Sequence, residues 1–297
     1  MATMIDIPFA RVVRPLVLAT TLAVLVGCGQ TGDPSTAEPT ESSSTPSASA
    51  PAEPGDAAIY DTFEVGGHEL FMDCAGTGAP TVVMLHGIIW DVEFGGGAAD
   101  WAETREALQT RSCAYDRRNV GLSGQVPGRS TATDAVEDLH GLLQTAGVEP
   151  PYVLAGYSFG GLLSLLYAGT YPDEVAGIVL VDATLPLEWE LDPPETIEEV
   201  KAELNKNDER IDFFGTGALT ASALDRLPNV PITYLYGLQQ EFDPDWEVGA
   251  YDAALQGFIA GLPQGKLVEF DTDHDMLLDI PADVADQIQQ VLSELDV

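Results

Sequence analysis

The residues Gly-Tyr-Ser-Phe-Gly at positions 156–160 place a serine hydroxyl between two glycines, a pattern that serves nucleophilic chemistry when it joins a strand to a helix. An apolar run at 152–155 predicts a buried strand before it, and the run at 162–168 predicts a helix after it. The turn must be tight, because a Cβ at Gly156 or Gly160 would collide with the neighbouring turn. It exposes the Ser158 hydroxyl and leaves the Phe159 N–H free at a helix N-terminus, where developing negative charge is stabilised. We therefore predict Ser158 as a nucleophile.

The amino-acid composition limits the kinds of molecule that the protein can bind. The chain has 297 residues, of which 45% are hydrophobic, so one large domain with a sizeable core can form. Its formal net charge is -36, from 48 acidic and 12 basic residues. Such a surface repels nucleic acid and anionic lipid headgroups, and no basic cluster opposes this. Solubility is the simple explanation of the charge; a salty habitat is the alternative.

The N-terminal segment has the pattern of an export signal. Arg11 and Arg14 precede an apolar run at 16–26 that is short for a membrane span. The run ends at Leu-Val-Gly-Cys, which resembles a bacterial lipobox whose cysteine is lipidated. We predict a lipoprotein signal peptide at 1–27 and an exported protein anchored to the outside of a bacterial cell membrane through Cys28. Residues 28–56 are rich in Ser, Thr, Pro and Ala, which predicts a disordered tether.

Apolar strands alternate with helical segments from residue 57 to the C-terminus. This order predicts an α/β domain with a mostly parallel sheet covered by helices on both faces. The predicted strands are 59–65, 68–74, 81–85, 111–115, the strand before Ser158, 175–182, 232–236 and 266–270. The predicted helices include 101–109, 133–146, 246–262 and 281–295.

Four landmarks occur in a familiar order: His-Gly at 86–87, Asp-Arg-Arg-Asn-Val-Gly-Leu-Ser at 116–123, the serine motif, and Asp-His-Asp at 273–275. With these, the chain from Ile59 to Val297 resembles the α/β-hydrolase fold. The resemblance implies an eight-stranded, mostly parallel sheet within a domain at 57–297, with a small cap insertion at about 184–230. Tyr157 departs from many relatives, which carry histidine there. We expect it to alter packing beside the motif and not the chemistry.

The resemblance also implies a general base. Of the four histidines, His274 follows the last strand and precedes the last helix, where this family places its base. His68 lies on an early strand and His140 within a helix, so we expect structural roles for both. His86 belongs to the loop after the third strand. In this family that loop supplies an oxyanion donor, which implies the Ile88 N–H as the partner of the Phe159 N–H.

The acid that would orient His274 stays open between three carboxylates. Relatives often carry it after the penultimate strand, but the matching position here is Gln240, and Glu241 and Asp243 come later than expected. A second family location is the end of the strand after the serine helix, where Asp182 stands as in the haloalkane dehalogenase branch. A carboxylate ending a buried strand needs a partner. We favour Asp182 as the acid, with Asp243 and Glu241 as alternatives. If Asp182 is not the acid, capping of a neighbouring helix would explain its position.

The insertion at about 184–230 interrupts the alternation of strands and helices. In this fold such an insertion covers the active site and shapes the substrate pocket. Its aromatic residues Trp189, Phe213 and Phe214 either line that pocket or pack the cap.

Cys74 ends the second predicted strand, and Cys113 lies near the start of the fourth. The usual strand order of the fold makes these strands antiparallel neighbours, and an exported location permits oxidation. We therefore expect a Cys74–Cys113 disulfide, with two buried thiols as the alternative. No His or Cys spacing suits a metal, so neither a metal nor a cofactor is expected.

Taken together, the resemblance implies a lipid-anchored serine hydrolase, and a carboxylesterase acting on small or medium apolar acyl groups is favoured. The expected partners are a small-molecule acyl substrate and, through Cys28, the membrane, but no nucleic acid. Transfer of the acyl group to an acceptor other than water is one alternative. A non-catalytic binding lipoprotein that keeps the pocket is another. The sequence leaves the oligomeric state open.

Overall fold

A single open sheet organises the computed structural model, which describes residues 57–91, 96–186, 197–240 and 248–295. Within those ranges the sheet has eight strands in the order β1-β2-β4-β3-β5-β6-β7-β8. Strand β2 is antiparallel to β1 and β4, and the remaining pairs are parallel. The predicted α/β class and mostly parallel sheet are confirmed. The strands are β1 (Ile59–Val65), β2 (His68–Ala75), β3 (Thr81–Leu85), β4 (Ser112–Tyr115), β5 (Tyr152–Tyr157), β6 (Val175–Val181), β7 (Ile232–Gly237) and β8 (Gly265–Phe270).

Helices cover both faces of the sheet, as the apolar strands require. The helices are α1 (Ala102–Ala107), α2 (Ala132–Ala146), α3 (Phe159–Thr170), α4 (Ile197–Leu204), α5 (Phe213–Ala223), α6 (Val248–Gly261), α7 (Met276–Asp279) and α8 (Pro281–Glu294). One core joins α2, α3, α5 and α6 to the sheet, and the other lies beneath α7 and α8. Within the described ranges, none of these helices combines the length and hydropathy needed to cross a membrane.

The helix predicted over 101–109 is shorter than its periodicity suggests. A 3₁₀ turn at Gly97–Trp101 precedes α1, and Leu108 is already extended. Trp101 is fully buried at the junction. The helical part of the predicted segment is therefore Ala102–Ala107, which begins directly after the buried Trp101.

The two cysteines lie directly opposite each other on β2 and β4. Their sulfur atoms are bonded at 2.07 Å, so the predicted Cys74–Cys113 disulfide is confirmed. Because this pair crosses the antiparallel part of the sheet, it ties the hairpin of β1 and β2 to the parallel strands that carry the serine motif.

The insertion between β6 and β7 packs tightly onto the body of the domain. Helix α5 lies against α3, where the Thr220 hydroxyl donates to the Leu162 carbonyl at 3.1 Å. A Cβ at Gly169 would lie 2.7 Å from the Ala223 carbonyl oxygen, so the two backbones approach closely. The acidic segment of the insertion forms α4, whereas α5 was not predicted because its sequence is apolar on every side and contains two glycines.

Candidate active site

Ser158 stands at the turn between β5 and α3 with φ 51° and ψ −121°, a conformation that costs a non-glycine residue about 1–3 kcal/mol. Its flanking glycines make room for this turn. A Cβ at Gly160 would lie 2.2 Å from the Leu85 carbonyl oxygen, and one at Gly156 would lie 2.6 Å from the Gly160 carbonyl oxygen. The Ser158 N–H donates to the Val181 carbonyl of β6 at 3.0 Å. The half-buried serine is thus fixed at the carboxyl edge of the parallel strands, where ligands bind in open sheets of this kind.

His274 and Asp182 meet at this same edge. The loop between β8 and α7 carries His274, and Asp182 follows the last residue of β6. His274 Nδ1 lies 2.7 Å from Asp182 Oδ2. The carboxylate is 5% exposed and the imidazole 36% exposed, so the acid is buried while the ring reaches solvent. This is the arrangement in which a carboxylate orients an imidazole as a general base.

The remaining bonds of the Asp182 carboxylate come from the last residue of β7 and from the loop after it. Its Oδ1 accepts the Gly237 N–H at 3.1 Å, and its Oδ2 accepts the Gln240 side-chain amide at 2.8 Å. Asp182 itself has φ 40°, a second left-handed residue at this edge. These donors compensate the loss of hydration that burial imposes on the carboxylate.

The loop after β3 lies against the serine. A Cβ at Gly87 would be 3.4 Å from the Ser158 Cβ and 3.2 Å from the Tyr157 ring. The Ile88 N–H follows directly, and the Phe159 N–H belongs to the first turn of α3, where amides have no acceptor within the helix. The two predicted oxyanion donors therefore belong to two segments that both adjoin Ser158.

His86 is fully buried behind this loop, with Nδ1 2.8 Å from the Gly87 carbonyl oxygen. Burial, together with the Arg117 guanidinium, lowers its pKa well below the usual value, so the ring is neutral. His68 and His140 are paired elsewhere, with Asp138 and Glu174, each at 3.1 Å. His274 is thus the histidine that pairs with a carboxylate at the end of β6, the strand next to the one that leads into Ser158.

Comparison with known proteins decides the family. The family model for the α/β hydrolase fold matches residues 80–228, half of the chain. The chain belongs to the α/β hydrolase family. The match contains the serine motif and Asp182 but ends before His274, whose place at the site comes from the three-dimensional structure.

Individual relatives of this α/β hydrolase match over shorter segments. The YqjL protein of Bacillus subtilis (strain 168) is 30% identical over 100 residues, which are 33% of this chain and 40% of that protein. A pimeloyl-[acyl-carrier protein] methyl ester esterase of Chromobacterium violaceum is 40% identical over 119 residues, covering 39% of this chain and 41% of its own. The matched segment thus spans about two fifths of each curated relative.

A solved structure extends the likeness of this α/β hydrolase to the whole domain. The esterase EaEST of Exiguobacterium antarcticum superimposes with a TM-score of 0.60 over 80% of this chain and all of its own, at 16% identity. At that identity the likeness describes the fold alone.

Gln240 occupies the position where many α/β hydrolases carry the acid, and here its side-chain amide donates to Asp182. Its amide holds Asp182 Oδ2 at 2.8 Å and the Gly237 carbonyl at 3.0 Å. The two family locations of the acid are therefore adjacent in space. The alternatives Glu241 and Asp243 lie outside the described residues.

Tyr157 packs beside the motif, as the departure from histidine suggested. Its ring lies 5.1 Å from the His274 ring between centroids, and its hydroxyl donates to Asp275 Oδ1 at 3.5 Å. Burial raises its pKa well above the usual value, so the phenol stays neutral. Tyr157 thereby supports the face of His274 without adding charge to the site.

A stack of three aromatic rings joins the cap to the residue after the serine. The Phe213 ring stacks on Phe159 with 5.0 Å between centroids, and the half-exposed Trp90 stacks on Phe213 at 6.1 Å. Phe214 instead lies under the Lys201 ammonium at 5.3 Å, within the cap. Of the three aromatic candidates, Phe213 and Phe214 are both buried, Phe213 against Phe159 and Phe214 within the cap, and Trp189 lies outside the described residues.

Sequence reasoning missed Trp90 and the buried pair of Arg117 and Glu209. Trp90 follows the loop that supplies Ile88, so its position could have been inferred from that loop. Arg117 lies within the landmark at 116–123, but Glu209 has no distinguishing signal among the many acidic residues of the chain. Only the folded chain shows that the two side chains meet, at 2.7 Å. Among the described residues, no group of three or more His, Cys, Asp or Glu side chains is placed to hold a metal.

Proposed function

We propose that this α/β hydrolase is a carboxylesterase that cleaves acyl esters through an acyl-serine intermediate. The observation that carries the proposal is the Asp182–His274 pair, 2.7 Å apart and located at the same sheet edge as the strained Ser158. Esterase names among its relatives support a hydrolytic activity on esters, as in the Chromobacterium violaceum protein.

In the proposed mechanism, the Ser158 hydroxyl oxygen attacks the acyl carbonyl carbon while the imidazole of His274 takes its proton. The carbonyl electrons move onto oxygen, and the Ile88 and Phe159 N–H groups stabilise that oxyanion. When the ester C–O bond breaks, His274 returns the proton to the departing alkoxide. Water then attacks the acyl-serine by the same route and releases the carboxylic acid and free Ser158. Asp182 stays ionised throughout and stabilises the imidazolium.

The acyl group is proposed to lie against Trp90, the exposed outer ring of the stack that continues through Phe213 to Phe159. These rings extend from Phe159, whose N–H is a proposed oxyanion donor, so an acyl chain on the reacting carbonyl would meet an apolar surface. This geometry favours small or medium apolar acyl groups over charged ones.

A p-nitrophenyl ester series from acetate to palmitate tests the proposed activity. We expect hydrolysis of the shorter esters, with an optimum chain length that reports the size of the pocket. A fluorophosphonate probe should label Ser158, because only an activated serine reacts. Absence of both hydrolysis and labelling would contradict the proposal and favour a binding protein, and transfer to added alcohols in place of hydrolysis would favour an acyltransferase.

The proposed location is the outer face of a bacterial membrane, with Cys28 as the lipidated anchor. The charged start, the short apolar run and the Leu-Val-Gly-Cys sequence at 25–28 support it. Several acyl chains on one cysteine would hold the protein firmly, since each buried methylene contributes about 0.8 kcal/mol.

Replacing Cys28 with serine tests the anchor, because a serine cannot take the thioether-linked lipid. We expect the wild-type chain to incorporate labelled palmitate in a bacterial host and to sediment with membranes, and the Cys28→Ser variant to lose both properties. A variant that still incorporates the lipid would refute the anchor at Cys28. Cys74 offers no competing site because it is held in the disulfide.

A further inference from the structure

A fully buried ion pair lies directly behind the loop that carries Ile88. Arg117 is 3% exposed and Glu209 is 1% exposed. The Arg117 Nε and Nη2 groups donate to the two Glu209 carboxylate oxygens at 2.8 and 2.7 Å, so the contact is bidentate. Glu209 belongs to the insertion between β6 and β7, whereas Arg117 follows β4. The pair therefore connects the cap to the body of the domain beneath the active site.

The remaining donors of Arg117 hold the backbone of that loop. Its Nη1 donates to the His86 carbonyl at 2.8 Å, and its Nη2 also donates to the Gly87 carbonyl at 2.5 Å. Glu209 Oε1 in turn accepts the Ile89 N–H at 2.7 Å. The ion pair thus binds the loop on both sides of Ile88, through carbonyls before it and an amide after it.

The bond to Gly87 acts on the reaction through peptide geometry. The Gly87 carbonyl and the Ile88 N–H belong to one planar trans peptide, in which the C=O and N–H vectors point in opposite directions. A guanidinium that holds the oxygen, together with His86 Nδ1 at 2.8 Å, therefore also sets where the N–H points. Gly87 lies against the Ser158 Cβ. If the Ile88 N–H points away from Arg117, it can therefore donate on the side of the loop that faces Ser158.

The same guanidinium also touches the second donor segment. Its Cζ lies 5.5 Å from the centre of the Phe159 ring, the side chain that follows Ser158. Glu209 is itself fixed, because its carbonyl accepts the Asn119 side-chain amide at 2.9 Å. Next to it, the Arg210 carbonyl accepts the Ser130 N–H, also at 2.9 Å. A buried ion pair is weak grounds for stability alone, since apolar replacements often stabilise a fold equally well.

We propose that Arg117 and Glu209 are positioning residues that orient the Gly87–Ile88 peptide so that its N–H points at the oxyanion formed on Ser158. This inference rests on the proposed esterase function. It assigns the cap a part in the chemistry beyond covering the pocket, because Glu209 supplies both the counter-charge for Arg117 and the acceptor for Ile89.

The test uses the full-length protein and the ester of the series that it hydrolyses fastest. The value of kcat is calculated per Ser158 titrated by the fluorophosphonate, so that misfolded molecules are not counted. Arg117→Lys keeps the charge but cannot form the bidentate and carbonyl contacts together. We expect kcat to fall about 10²-fold, close to the loss of one oxyanion donor, with KM changing less than about 3-fold. The matched control is Arg118→Lys, whose guanidinium pairs with Asp138 and makes no contact with the loop among the described residues; its kcat should stay at the wild-type value.

A second variant and a second measurement separate positioning from folding. The double variant Arg117→Met with Glu209→Leu leaves no unpaired buried charge, so we expect it to fold. Its kcat should nevertheless be as low as that of Arg117→Lys. A 1,1,1-trifluoro-2-alkanone adds to the Ser158 oxygen as a hemiketal whose carbonyl oxygen becomes an oxyanion, while the serine proton passes to His274. Its inhibition constant should rise by the same factor as kcat/KM falls, and binding of the matching 2-alkanol should not change.

Wild-type kcat in both Arg117 variants, or unchanged affinity for the trifluoroketone, would overturn the positioning role while leaving the esterase intact. A wild-type protein that cleaves no ester and forms no hemiketal would overturn the proposed function and this inference together.

Discussion

Ser158→Ala is expected to abolish ester hydrolysis, with kcat falling about 10⁴–10⁶-fold. The turn holds Ser158 in a strained backbone conformation with φ 51°, and only glycine fits at positions 156 and 160 beside it. Alanine tolerates the same backbone but offers no oxygen to form the acyl intermediate. Fluorophosphonate labelling should vanish together with the activity, whereas the melting temperature should hardly change.

The matched control is Ser164→Ala, in the same helix. Ser164 is fully buried, and its hydroxyl donates to the Gly160 carbonyl at 2.9 Å, so this serine has a structural bond and no access to substrate. We expect this variant to keep its activity and its labelling. Esterase activity retained by Ser158→Ala, or labelling lost in Ser164→Ala alone, would refute Ser158 as the nucleophile.

Asp182→Asn is expected to lower kcat about 10⁴-fold, the loss typical of an acid that sets the tautomer of its histidine. The carboxylate accepts three bonds, from Gly237, Gln240 and His274, and has no proton of its own to donate. An asparagine must turn its NH₂ group toward one of these donors. If the NH₂ faces His274, the ring either loses the acceptor for its Nδ1–H or adopts the tautomer that cannot take the Ser158 proton. If it faces Gly237, that N–H loses its acceptor and the imidazolium loses its counter-charge.

The comparison variant is Asp243→Asn, since Asp243 is the alternative acid from the sequence. We expect it to keep near-wild-type kcat, because the geometry already places Asp182 against His274. The measurement is kcat per titrated serine for both variants, accompanied by thermal melting to show that each is folded. A crippled Asp243→Asn beside an active Asp182→Asn would reverse the assignment of the acid.

The elements that carry the serine were predictable from local sequence. The glycines of the serine motif leave one possible turn, and the apolar strands buried on both faces require a parallel sheet with two helical layers. The disulfide followed from the strand order that the resemblance implied, since Cys74 and Cys113 face each other once β2 and β4 are antiparallel neighbours. Helix α5 escaped prediction because its apolar residues lie on every side and produce no amphipathic period.

By itself, the sequence predicted Ser158 as the nucleophile from a short motif and determined the sheet from periodicity, and the family resemblance implied the place of the base. Which carboxylate pairs with His274 depended on tertiary structure, since β6 and β8 both flank β7 and only their parallel alignment brings Asp182 to His274. The same holds for Arg117 and Glu209, which meet across 92 positions of chain. A charged residue can be predicted to be buried only if its partner of opposite charge is known. Here the packing of the cap on the domain decides which distant residue becomes that partner.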